Sequence, residues 1–217
     1  MSDVHRSVNT TIEKMQNEVV WIHTKWEIYR QLFGTSDKRL KLLSECAHAF
    51  FFLIHHMLID DILISLGRLT DPSDTRRNEN LSLEQLRRQV VEDTESELAT
   101  KLRTMLGDLR QKCKVIRTHR NKRLAHLDLK TALEPKAKLD NISVDMVEEV
   151  LGLVAEYMNT VEGHYCQKEL LYERGISLRK DANDLVSILQ DGLRLRKLME
   201  DKKVPDDEMF KGEWADA

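Results

Sequence analysis

Residues 117–128 read RTHRNKRLAHLD, which places Arg120-Asn121 six positions before His126. These residue types can cut a phosphodiester. RNA carries its own nucleophile, the 2′-OH, and needs a base to take that proton. A histidine with an ordinary pKa near ~6.5 serves as base or acid at neutral pH. An arginine holds phosphate and stabilises charge that develops during transfer. Asn121 would orient the phosphate or His126 by hydrogen bonds. On an ideal helix, Arg120 and His126 lie about 120° apart. A shared site therefore requires a helix irregularity, a substrate wide enough to touch both, or residues from a second subunit.

The surrounding charge suits an anionic partner. Between Arg110 and Leu127 stand seven basic residues and no acidic one. Lys114, Arg117, Lys122 and Arg123 are the candidate contacts to an RNA backbone. A solvated helix end complementing the helix dipole would look the same. No tryptophan interleaves with this run, so stacking on bases has no support. Continuing the apolar stripe of this helix past Ile116 lands on Arg120. An arginine at a core position needs a partner, and Asp61 on the preceding long helix is one candidate. Asp61, Ser65 and Arg68 form a polar line on that helix, so Asp61 and Arg68 are expected to back up the site or to pair with each other.

The elements that position these residues are helical. Gly and Pro total only 11 of 217 residues, so long uninterrupted helices are expected. With 41% hydrophobic residues the chain can bury a core, and a net charge of −3 excludes a uniformly basic nucleic-acid coat. A first helix carries the seam Val8, Ile12, Met15, Val19, Ile22, Trp26, Tyr29 and Phe33, with Gly34 as its stop. The second runs from about Asp37 to Thr70. Its middle, AFFFLIHHMLIDDILISLG, is apolar on nearly every side, as in a central helix covered by others. His48, His55 and His56 on it read as packed or paired. Residues 71–80 form a polar loop. Ser82 and Gln85 open a third helix, and a fourth carries Leu98, Leu102, Met105, Leu109, Cys113 and Ile116. Residues 128–142, with Pro135, break the pattern. Ser143 caps a fifth helix with Val144, Val147, Leu151, Val154, Met158 and Val161. A last helix over 181–199 presents Leu185, Ile188, Leu195 and Met199.

The expectation is an all-α fold: one bundle of five to six helices over residues 1–200, then an acidic tail over 201–217. Three cysteines without a close pair make no disulfide framework or zinc knuckle. No carboxylate–histidine cluster has ligand spacing, so neither metal nor cofactor is expected. The first residues lack an apolar secretion segment, and a cytoplasmic location without membrane association is expected.

The Arg-Asn pair, the Ala-His-Leu-Asp ending at 125–128, and the order WEIYRQLFG (26–34), GRLTDP (67–72), NLSLEQL (80–86) and DANDLVSILQDGLRLRKL (181–198) together resemble the HEPN superfamily. The closer likeness is to its abortive-infection AbiU-like branch, over roughly residues 15–200. The resemblance implies a metal-independent endoribonuclease acting as a homodimer. Arg120, Asn121 and His126 of two subunits would line one cleft, in a toxin or anti-phage role, with an antitoxin protein as a further partner. Asp128 stands where some HEPN toxins carry a tyrosine modified by a partner nucleotidyltransferase, so the resemblance does not extend to that silencing. The alternatives are a non-catalytic HEPN-like dimer module binding RNA or protein, and a purely structural bundle in which Arg120 pairs with Asp61.

Overall fold

The computed structural model describes residues 3–75, 78–93, 97–124, 141–174 and 181–201. The fold is all-α, with seven α-helices among the described residues: α1 (Asp3–Phe33), α2 (Asp37–Leu69), α3 (Leu83–Asp93), α4 (Glu97–Lys112), α5 (Lys114–His119), α6 (Val144–Tyr165) and α7 (Ala182–Glu200). The count exceeds expectation because a turn at Cys113 divides the fourth helix into α4 and α5. Two-residue strands β1 (Asp74–Thr75) and β2 (Asn78–Glu79) pair antiparallel within the stretch expected to be only a loop. Asn80 ties this hairpin down, its side-chain amide donating to the Pro72 carbonyl at 2.9 Å and to the Thr75 hydroxyl at 2.9 Å.

The chain packs as two compact units, Met1–Glu27 with His56–Ser177, and Ile28–His55 with Leu178–Ala217. In the first, the α1 seam from Val8 to Trp26 is buried as its spacing requires. It is joined in the core by Ile62, Leu66 and Leu69 of α2, Leu83, Leu86 and Val90 of α3, and Leu102, Leu106 and Leu109 of α4. Val147, Leu151, Val154, Met158 and Val161 of α6 complete it. Burying each such side chain contributes roughly 1.5–3 kcal/mol. The helix ends follow local chemistry. Ser82 accepts from the Gln85 amide at 3.3 Å, and Ser143 from the Met146 amide at 3.2 Å, satisfying otherwise orphaned donors.

In the second unit, Tyr29, Phe33 and His55 cluster, with the tyrosine hydroxyl 3.1 Å from the histidine Nε2. Asp181 caps α7 in a reciprocal box with Asp184 and accepts from Gln31 at 2.8 Å. Arg39 donates to Asn183 at 2.8 Å.

Three patterns depart from expectation. The middle of α2 is not covered on all sides: Phe51 is buried, but Phe50, Phe52 and Leu53 are more than half exposed. By length and composition α2 could cross a membrane, with 28% of its most apolar window buried. On α7, Ala182 and Val186 are buried, while Leu185, Ile188 and Leu195 face outward. On α6, Val144 is exposed as well, because it stands in the first turn where the helix begins. Apolar periodicity marks a face without supplying what covers it. The expected loop around Pro135 and the acidic tail beyond Asp201 lie outside the described residues.

Candidate functional site

The end of α2 and the segment that follows α4 meet around one carboxylate. Arg120 Nη1 donates to Asp71 Oδ2 at 2.6 Å, and Arg117 Nη2 lies 3.3 Å from Asp71 Oδ1. The three side chains are 16–26% exposed, so solvent screens this cluster only partly. Two guanidiniums against one carboxylate leave the cluster with a net positive charge. That excess is suited to a further anion.

Local sequence explains how the pieces are held. Thr70 is wholly buried and donates its hydroxyl to the Leu66 and Gly67 carbonyls at 3.3 and 3.1 Å. Arg117 Nη1 donates to the Thr70 carbonyl and meets the Thr70 hydroxyl at 3.2 Å. The end of α2 thus has two carbonyls satisfied by the Thr70 hydroxyl and that of Thr70 by a cation, which also complements the helix dipole. Cys113 sits behind this contact, fully buried. Burial pushes its thiol up to about 11, against the opposing effects of a Thr70 hydrogen bond and the Arg117 charge, so it stays protonated.

At Arg120 the helix changes character. Residues Arg120–Leu124 form a π-helical turn directly after α5. Such turns widen the ring by one residue and are frequent at functional sites. Over Arg120–Leu124 the ideal α-helical spacing therefore does not apply. Asn121 follows, its Oδ1 accepting from Arg120 Nε at 3.0 Å. His126 and the side chain of Arg123 lie outside the described residues.

The other expected residues are placed as follows. Asp61 does not meet Arg120; it pairs with Lys25 of α1 at 2.5 Å. Arg68 faces Glu18 of α1 at 3.6 Å rather than Asp61. Both are surface contacts, because this polar line of α2 runs along α1 and not toward α5. The acidic partner of Arg120 is ten residues further on, in the GRLTDP segment. Within the basic run, Arg110 pairs with Glu84 at 3.4 Å and Lys112 with Glu149 at 2.6 Å. Among the described residues, none forms an ion pair with the exposed Lys114 or Lys122. A cleft of about 430 Å³ opens beside the cluster, lined by Thr70, Pro72, Ser73, Glu84, Arg110 and Arg117.

Sequence reasoning missed Asp71 and Gly67. A Cβ built on Gly67 would come 2.6 Å from Arg120 Cδ, so this glycine lets the arginine lie directly on the α2 backbone. The readable signal was their nearness in sequence: Asp71 follows Gly67 by four residues and stands two past the last residue of α2.

Neither a curated protein nor a solved structure matches the chain significantly. A family model, HEPN AbiU2, described as AbiU2, matches residues 8–185. That span holds both the α2 end and the Arg120–His126 segment, and the chain belongs to the HEPN AbiU2 family.

Proposed function

We propose that the protein is a metal-independent endoribonuclease of HEPN type that acts in the cytoplasm in a toxin or abortive-infection role. The observation that carries this reading is Arg120, held by Asp71 and Asn121 at the start of a π turn, six residues before a histidine. His126 takes the proton from the 2′-OH, whose oxygen attacks the adjacent phosphorus as the bond to the 5′ oxygen breaks. The leaving oxygen gains a proton, and the products are a 2′,3′-cyclic phosphate and a 5′-hydroxyl. Arg120 binds the phosphate and stabilises its added charge. Lys114 and Lys122, with Arg117 and Arg123, contribute to holding the RNA backbone.

The active form is a homodimer in which two Arg/His motifs share a cleft. Exposed Phe50, Phe52 and Leu53 support this reading, since apolar groups of that size are commonly covered by a partner. An antitoxin protein is a further expected partner. A second reading, a non-catalytic module binding RNA or protein, is favoured by the ion pairing of four of the seven basic residues.

The test incubates purified protein and its His126→Ala variant with total RNA and a defined hairpin in excess EDTA, and identifies the new ends chemically. Cleavage by the parent alone, leaving cyclic phosphates, supports the enzyme. Salt-dependent RNA binding by both proteins without cleavage supports the module instead.

A further inference from the structure

We propose that Gly67 and Asp71 form a seat that positions Arg120 for the scissile phosphate, a role that rests on the ribonuclease reading above. Gly67 lies inside α2 with no special backbone angle. A glycine there weakens the helix without serving a turn. Its structural use is the close approach of Arg120, whose Cδ, Nε and Nη1 would lie 2.6, 3.2 and 3.4 Å from a Cβ at that position. In the turn that follows α2, Asp71 Oδ2 takes Nη1 at 2.6 Å. Its other oxygen is drawn to Arg117 at 3.3 Å, which keeps the carboxylate from rotating away. Asn121 takes Nε at 3.0 Å. Among the described residues no hydrogen bond or ion pair engages Arg120 Nη2.

The guanidinium is therefore fixed by its stem, one terminal nitrogen and Nε, with two N–H groups of Nη2 left to donate. A donor oriented before the substrate arrives loses little on binding and meets the developing charge without rearrangement. Gly67 and Asp71 are positioning residues here, acting on the phosphate only through Arg120.

The experiment measures kcat and KM on a defined hairpin in EDTA, together with melting temperature, for the parent and for Gly67→Ala, Asp71→Asn, Asp71→Glu and His126→Ala. Gly67→Ala is expected to cut kcat by ~10- to 100-fold through displacement of Arg120. Its melting temperature should stay near the parent's, since the helix preference of alanine over glycine offsets part of the lost Arg120 contact. Asp71→Asn should lower kcat comparably with a smaller change in KM, and Asp71→Glu should recover part of the loss. A merely structural role would lower the melting temperature of the Asp71 variants and leave kcat at the parent value below it. Folded Gly67→Ala and Asp71→Asn proteins that both cleave at the parent rate overturn the seat and leave the enzyme standing. A parent as inert as His126→Ala overturns the ribonuclease reading and the seat with it. If Gly67→Ala does not fold, the Asp71 pair of variants decides.

Discussion

Two polar clusters of the first unit, each built around a carboxylate, serve opposite ends. At the end of α2, Asp71, Arg117 and Arg120 are partly exposed and carry excess positive charge, and Arg117 lines a cleft of about 430 Å³. Inside the unit, Tyr172 donates to Glu162 Oε1 at 2.5 Å, and His23 packs its ring 5.9 Å from that of Tyr172. These three are 1–5% exposed. Burial is the leading cause of every shift there, raising Glu162 and Tyr172 and lowering His23 to about 4. A Tyr172 hydrogen bond opposes the rise at Glu162. The interior therefore drives its titratable groups toward neutral forms, which suits packing. The α2 end keeps an uncompensated charge near solvent, which suits binding. A buried histidine beside a carboxylate is thus a poor guide to chemistry in this protein; unbalanced charge beside an opening is the better one.

The sharpest break between the regions is catalytic. His126→Ala should reduce RNA cleavage by about 100- to 10,000-fold with little effect on melting, whereas His23→Phe should leave cleavage at neutral pH unchanged; rates on one hairpin compare them. Next in size is the pH response of the interior. The folded His23 value is about 4 against 6.5 when unfolded, so the unfolded chain takes up the proton first. Its contribution is complete above about pH 6.5, falls as the pH drops, and is gone near pH 4, a span on the order of 3 kcal/mol. Urea unfolding at several pH values should show that slope in the parent and lose it in His23→Phe. Tyr172→Phe is expected to cost ~1–3 kcal/mol by removing the donor to buried Glu162, without changing cleavage measured well below the melting temperature. The smallest effect belongs to the exposed lysines. Lys114→Gln with Lys122→Gln should flatten the log–log salt dependence of single-stranded RNA binding by ~1.4, about 0.7 for each phosphate no longer neutralised. An unchanged slope would remove both from the RNA path.

Much of the fold was legible because its causes are local. The α1 seam from Val8 to Trp26 is buried at the spacing read from sequence, and Gly34 follows the last helical residue. Ser82, Ser143 and Asp181 sit where their helices begin. Departures arise where a pattern marks a face but not its cover, as at Phe50, Phe52 and Leu53 of α2 and Leu185 and Ile188 of α7.

The candidate site divides in the same way. Sequence alone determined that Arg120 occupies a core-facing position, that Asn121 is beside it, and that basic residues crowd the segment, because these follow from order and helical period. It also determined the family, through motifs spread along the chain. Only the tertiary structure decided that Asp71 rather than Asp61 holds Arg120, 49 residues away in sequence. Both aspartates belong to the same stretch of chain, and helix periodicity alone does not say which of them meets a later helix. That choice is made by how α2 packs: Asp61 runs along α1 toward Lys25, while Gly67 opens the backbone for Arg120 to reach Asp71. Ion pairing depends on distances between elements, and those are set by packing rather than by order along the chain.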